Sequence, residues 1–307
     1  MTKDGHMFSG SIPAMVTPFD GDAIDTDAII RLVNWHINEG SSALVICGTT
    51  GEASTLDYRE RIEVLRTAVE AAGGRIPIIA GAGSNNTAEA IRLTQGAEDI
   101  GVSATLHATG YYIKPSQEQV VKYYDDIAKI ANKPVLIYNI PARTGVEISS
   151  ESIARLSKHE KIIGIKDSIG DVSKVTEQRL LFDNQFCFLS GDDFTALGYI
   201  AHGGVGCISV TANVAPKYCS MLVASALSGD FVAARQLNNK LMPLHKALFI
   251  EPNPAGAKYA LSRLGFCKPH LRAPLTELSN TTKKLIDRAM DEITDHRRGI
   301  GLAPPRG

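Results

Sequence analysis

The 307-residue chain lacks an excess of either charge: 32 Lys and Arg stand against 33 Asp and Glu, a net charge of −1. It therefore has no basic field to attract phosphate backbones, and nucleic acid is set aside as a partner. No run approaches the roughly 18 apolar residues that span a bilayer. The opening stretch, 1–10, has no charged-then-apolar secretion layout. The expectation is a cytoplasmic protein with no membrane partner. Cysteine is scarce. Cys47, Cys187, Cys207, Cys219 and Cys267 are odd in number, form no C-x-x-C pair and mostly lie in apolar runs, so reduced core thiols are expected rather than disulfides or zinc. Also missing are G-x-x-x-x-G-K-[ST], G-x-S-x-G and H-E-x-x-H, and Gly81-Ala-Gly-Ser-Asn-Asn86 lacks the third glycine of a dinucleotide fingerprint. The pair Asp192-Asp193 has no His or Glu clustered near it. No metal and no other cofactor is expected.

What the chain does have is a regular succession of short apolar runs: Ile12 to Val16, Ala43 to Cys47, Ile76 to Ala80, Val102 to Leu106, Val135 to Tyr138, Ile162 to Ile165, Phe186 to Leu189 and Val205 to Val210. Between them lie segments of helical spacing. One places Val120, Tyr124, Ile127 and Ala131 on one face and opens with Ser116 and Gln119 as a capping box. Eight strands alternating with helices fit a (β/α)8 TIM barrel better than an open doubly wound sheet. The expected division is a barrel over 8–215, a helical C-terminal extension over 216–298, and disordered tails over 1–7 and 299–307.

In such a barrel the chemistry lies where strands end and βα loops begin. The sixth run ends Ile162-Ile-Gly-Ile-Lys166, and a period of two turns Ile162, Gly164 and Lys166 inward and Ile163 and Ile165 outward. The same alternation turns Leu136 and Tyr138 inward on the neighbouring strand, close enough for the phenol to approach the amine. An amine in an apolar, partly dehydrated barrel loses hydration that favours its charged form, and the neutral amine attacks ketones. The alternatives are a lysine held by a carboxylate such as Asp167 or one that snorkels to solvent, and a tyrosine that only packs. Gly48-Thr-Thr-Gly-Glu52 reads either as a turn whose N–H groups and hydroxyls converge on a carboxylate, or as a plain βα turn. Arg143 either projects over the mouth as a fork for an anion or is a solvated surface residue. Tyr111-Tyr112 either adds phenols to the mouth or plugs a subunit contact.

Gly48-Thr-Thr-Gly-Glu52, Tyr138-Asn-Ile-Pro-Ala-Arg-Thr-Gly145, Gly164-Ile-Lys-Asp167, Leu189-Ser-Gly-Asp-Asp193 and Ile208-Ser-Val-Thr-Ala-Asn213, in this order, resemble the pyruvate-dependent class I aldolase family of dihydrodipicolinate synthase and N-acetylneuraminate lyase. The resemblance runs from about Phe8 to Ala289. It implies that Lys166 forms an imine with pyruvate and that Thr49 and Thr50 bind the pyruvate carboxylate. It makes Thr50, Tyr138 and Tyr112 a proton relay, with Tyr112 supplied by a neighbouring subunit. Arg143 would bind the carboxylate of the incoming aldehyde, and Gly191 and Ile208 would line the pyruvate pocket. Arg143-Thr-Gly145 resembles the synthases. That implies condensation with L-aspartate 4-semialdehyde to 4-hydroxytetrahydrodipicolinate and water, the first committed step of diaminopimelate and lysine biosynthesis. A homotetramer, a dimer of dimers, is implied as well. The competing functions are a lyase-like aldolase for a sugar acid or other aldehyde, and a non-catalytic barrel binding a 2-oxo acid.

Two departures stand out: Gly110 replaces the proline usual before the paired tyrosines and is expected to loosen the Tyr112 loop, and Asn253-Pro-Ala-Gly256 replaces N-P-I-P. The allosteric positions of lysine-inhibited relatives read here Ser54, Tyr58, Arg61, Asn85, Glu89 and Tyr111. Tyr58 and Arg61 stand where histidines are usual, and a cation at Arg61 repels the ammonium of lysine, so weak or absent inhibition is expected.

Overall fold

Each of the eight apolar runs overlaps a parallel strand in the computed structural model, which describes residues 6–182 and 185–299. The chain runs β1 (Gly10–Pro13), a small antiparallel hairpin β2 (Phe19–Asp20) and β3 (Ala23–Ile24), α1 (Thr26–Asn38), β4 (Leu44–Ile46), α2 (Tyr58–Ala72), β5 (Ile78–Gly81), α3 (Thr87–Ile100) and β6 (Ala104–Ala108). It continues through α4 (Gln117–Ile130), β7 (Val135–Asn139), α5 (Pro141–Thr144), α6 (Ser150–Leu156), β8 (Ile162–Asp167), α7 (Ser173–Leu181), β9 (Cys187–Ser190), α8 (Ala196–Ala201) and β10 (Gly206–Ser209). It ends with α9 (Pro216–Leu227), α10 (Phe231–Leu248), α11 (Ala255–Arg263) and α12 (Asn280–Gly299). The hairpin aside, the strands form one sheet in the order β1-β10-β9-β8-β7-β6-β5-β4. Its two edges meet where Ala14 bridges Val45 and the Met15 N–H donates to the Val45 carbonyl at 2.9 Å. The result is a (β/α)8 barrel.

Side-chain parity sorts the strands into two layers. Ile12, Val45, Ile79, Leu106, Leu136, Leu189 and Ile208 fill the barrel, while Ile137, Ile165 and Phe188 face the covering helices. α4 shows how the sequence writes such a helix: Ser116 and Gln119 form the capping box, and Val120, Tyr124 and Ile127 are buried. On β8 the expected parity fails at its start. Ile162 packs in the outer layer and Ile163 against the barrel interior, the reverse of the expectation. The cause is a bulge: Val135 pairs with Ile162 but Leu136 with Gly164, so β8 carries one extra residue there and the alternation slips. From Gly164 to Lys166 the parity is the expected one.

α9 lies over β1 and β10 and so completes the eighth β/α unit, leaving α10, α11 and α12 outside the repeat. All five cysteines are unpaired, four of them buried. At the N-terminus His6 is buried, its ring nitrogen 3.1 Å from the Gln185 carbonyl, so the expected tail over 1–7 is packed by its sixth residue. The expectations for 1–5 and 300–307 fall outside the described residues. Among the described residues no helix is long and apolar enough to cross a membrane.

Gly164 marks where the barrel has no spare room. A Cβ there would lie 2.6 Å from both the Cys187 carbonyl and its Cβ and 2.8 Å from Leu136 Cδ2. Gly164→Ala is expected to destabilise by about 2 kcal/mol through overpacking, read as a lower urea midpoint at unchanged m-value.

Candidate active site

The C-terminal ends of β4 to β7 enclose a cleft of about 280 Å3, lined among others by Gly48, Thr49, Tyr111, Tyr138 and Arg143. Its floor is set by strand register. Tyr138 pairs with Lys166 across β7 and β8, and both side chains point inward, 7% and 5% exposed. The Lys166 ammonium nitrogen sits 4.1 Å from the centroid of the Tyr138 ring. Burial pushes the phenol's pKa up, but the Lys166 charge, together with the polar groups of Lys166, Thr49 and Ser168 near the hydroxyl, outweighs it and holds the phenol below its ordinary value. An amine and an acidified phenol in contact form a pair that can exchange a proton.

Two kinds of residue shape the space around this pair. Gly191, just past β9, leaves room that a side chain would fill: a Cβ would stand 2.0 Å from Ser168 Oγ and 2.9 Å from Lys166 Cε. Ile208 packs inside the barrel from β10. The turn after β4 is strained, with Cys47 and Glu52 both at positive φ, 56° and 52°, a conformation costing about 1–3 kcal/mol for a residue with a side chain. Gly81 admits it: a Cβ on that residue would lie 2.1 Å from the Cys47 carbonyl oxygen.

Within this turn the two threonines take different partners. Thr49 lines the cleft and meets the Tyr138 phenol. The Thr50 hydroxyl is buried and accepts a hydrogen bond of 2.9 Å from Asn253 Nδ2. The expected relay names Thr50, whereas the threonine that lines the cleft beside the phenol is Thr49. Ser168, absent from the sequence reading, also reaches the phenol. Its signal was available, since it lies two residues beyond Lys166 and shares its parity.

Arg143 is exposed on the last turn of α5 and lines the cleft from above. Tyr112 is 89% exposed at φ 71° and does not reach the phenol of its own chain. Gly110 does not loosen that loop. At φ 64° it lets the Lys114 N–H donate to its carbonyl at 2.9 Å, with Pro115 packed where a Cβ would be. Proline, fixed near φ −65°, could not make this closure. Gly256 likewise sits 2.6 Å, measured from its ideal Cβ, from the Leu248 carbonyl, which lets α11 close on the end of α10.

The six allosteric candidates divide. Ser54, Arg61 and Tyr111 line the cleft, with Arg61 Nε and Nη2 donating to the Ala53 carbonyl at 3.1 and 2.5 Å. Asn85 lines a second surface cleft and donates to the Tyr111 carbonyl at 3.2 Å. Tyr58 lies under Arg92, 3.7 Å from its ring centroid, and Glu89 pairs with Arg92 at 3.5 Å. Among the described residues no three His, Cys, Asp or Glu side chains are grouped to hold a metal. Asp193 instead accepts from the Ser209 hydroxyl and from the Val210 and Thr211 N–H groups, tying the ends of β9 and β10 together.

A parallel barrel with a buried amine and an acidified phenol at the C-terminal ends of adjacent strands defines a Schiff-base-forming lyase of the class I aldolase type. The chain belongs to the dihydrodipicolinate synthetase family, whose model matches residues 7–293. It is 50% identical over 284 residues to a 4-hydroxy-tetrahydrodipicolinate synthase of Ruegeria pomeroyi, covering 92% of this chain and 98% of that one. It is 52% identical over 286 residues to one of Chelativorans sp., with the same coverage. Among solved structures, the chloride-inhibited dihydrodipicolinate synthase of Acinetobacter baumannii complexed with pyruvate is similar at a TM-score of 0.91, 42% identity and 93% and 99% coverage. The 4-hydroxy-tetrahydrodipicolinate synthase of Methylacidiphilum fumariolicum is similar at 0.93, 38% identity and 96% and 98% coverage.

Beside Lys166, Asp167 points off the opposite face of β8, where its Oδ1 accepts the Ile169 N–H at 3.1 Å. Burial pushes its pKa up to about 7. Between its ordinary value of 3.8 and about 7 the folded chain holds a proton that the unfolded chain has lost. Asp167 therefore lowers stability progressively as pH rises through that window and adds no further change above it. Asp167→Asn, which keeps the acceptor, is expected to remove this dependence. Going from pH 5 to pH 8, the melting temperature of the variant should change in a more favourable direction than that of the wild type, the difference between the two being the part due to Asp167.

Proposed function

We propose that this cleft carries out the 4-hydroxy-tetrahydrodipicolinate synthase reaction, with Lys166 as the nucleophile. The Lys166 amine adds to C2 of pyruvate, and the carbinolamine loses water to give the imine. A proton leaves C3, and the resulting enamine attacks the aldehyde carbon of L-aspartate 4-semialdehyde. The amino group of the semialdehyde then displaces Lys166 from C2 and closes the ring, leaving 4-hydroxytetrahydrodipicolinate and one water. Each step moves a proton at or near Lys166, and Tyr138 with Thr49 and Ser168 around its phenol is the group able to move it. Thr49 and Thr50 hold the pyruvate carboxylate, and Gly191 and Ile208 wall its methyl side.

The observation that carries this reading is the Lys166–Tyr138 contact, whose tyrosine lines the same cleft as Arg143. Arg143 offers a planar fork to the carboxylate of the aldehyde. Tyr112, protruding on a loop closed by Gly110, extends the relay of a second copy, and the assembly is a homotetramer of two such dimers working in the cytoplasm. Barrel and extension act as one catalytic unit, with the barrel beginning near residue 8.

The test couples product formation from pyruvate and L-aspartate 4-semialdehyde to an NADPH-dependent reductase. Turnover is expected in the wild type and none in Lys166→Ala. Arg143→Ala is expected to lower kcat/KM for the aldehyde by about tenfold to a hundredfold, the worth of a lost charged hydrogen bond. An unchanged value in Arg143→Ala would remove the synthase assignment and leave a different aldehyde acceptor. L-lysine, whose ammonium meets the Arg61 guanidinium on the cleft wall, is expected to inhibit this turnover weakly or not at all. Inhibition at sub-millimolar lysine would contradict that.

A further inference from the structure

The turn that carries Thr49 and Thr50 is held from behind by the C-terminal helices. Glu52, the residue at φ 52°, does not line the cleft; its side chain is 0% exposed and forms an ion pair with Lys258 of α11, itself 0% exposed. The other carboxylate oxygen of Glu52 accepts the Arg272 N–H at 3.2 Å. Lys258 is fixed in turn: its ammonium donates to the His270 carbonyl at 2.8 Å and lies 3.9 Å from the centroid of the Phe19 ring. Five residues earlier, in the loop between α10 and α11, Asn253 Nδ2 donates to Thr50 Oγ1. With that oxygen occupied as an acceptor, the Thr50 proton is left to donate elsewhere. Neither Glu52 nor Asn253 is itself among the residues that line the cleft.

We propose that Lys258 is a positioning residue for the pyruvate-carboxylate turn, acting through Glu52. The inference rests on the reading that Thr49 and Thr50 hold pyruvate. A left-handed conformation at a residue with a side chain persists only where its surroundings impose it. Here the imposing contact is a buried charge pair whose cation comes from α11, outside the eight β/α units. Without Lys258 the Glu52 carboxylate loses its direct ion pair and keeps just the Arg272 backbone N–H and the more distant Arg272 charge, so its buried oxygen is left unpaired and the side chain shifts. The turn relaxes with it, and the threonine hydroxyls leave the place where the carboxylate of pyruvate is bound. The aldehyde side of the cleft, built on α5, has no contact with this pair. The effect therefore falls on one substrate.

Lys258→Met removes the cation and keeps the length of the chain. The double variant Glu52→Gln with Lys258→Met leaves no unpaired buried charge, so it folds even where the single variant does not. Both are assayed as full-length protein in the coupled assay, with melting temperature read in parallel. The expected result is a rise of about tenfold or more in KM for pyruvate, with KM for L-aspartate 4-semialdehyde changed little, in the double variant as well as the single one. A merely structural role lowers the amount of active enzyme and leaves KM where it was. A wild-type KM for pyruvate in the folded double variant overturns the proposal while the catalytic reading stands. A wild-type enzyme with no pyruvate-dependent turnover overturns both.

Discussion

The contact between the Lys166 ammonium and the face of the Tyr138 ring, 4.1 Å from its centroid, is the interaction on which the rest of the cleft depends. A desolvated cation over an aromatic ring is worth about 2 kcal/mol, and it fixes the amine without a carboxylate partner. That matters chemically. A carboxylate would hold the proton on nitrogen, whereas a phenol whose acidity is raised by the same amine can take part in moving it. The contact exists because β7 and β8 are in register at Tyr138 and Lys166. The register in turn requires the bulge at the start of β8 and the bare Cα of Gly164.

Above that floor, rigid elements hold the groups that a substrate meets. The turn after β4 is strained at two residues and is braced on every side: Gly81 gives it space, Thr17 Oγ1 donates to the Gly51 carbonyl at 2.7 Å, and Glu52 is tied to α11. Strain of this kind is stable only when neighbouring packing exceeds it. The Tyr112 loop is the opposite case, closed on itself by Gly110 and Pro115 yet presenting its tyrosine to solvent.

Much of this was legible in the sequence because it is local. Eight apolar runs gave eight strands, Ser116 and Gln119 gave the cap of α4, and a period of two gave the inward face of Lys166 and Tyr138. The parity of Ile162 and Ile163 was not legible, since a bulge is a property of two strands together. The choice between Thr49 and Thr50 depends on the backbone of a strained turn, which spacing does not encode. Gly110 was misread because the absence of a side chain was taken as looseness, when a positive φ is what the closure needs. Lys258 and Glu52 were out of reach for another reason: a charged residue on an apolar helix face signals a buried pair, but nothing in the sequence says which carboxylate, some 200 residues away, completes it.

The claim at the centre of this account is covalent, and it is tested most directly by adding sodium borohydride to the protein in the presence of pyruvate and mapping the product by peptide mass spectrometry. The account predicts a reduced pyruvyl adduct on the peptide containing Lys166, absent without pyruvate. No adduct, or one on a different lysine, would contradict it.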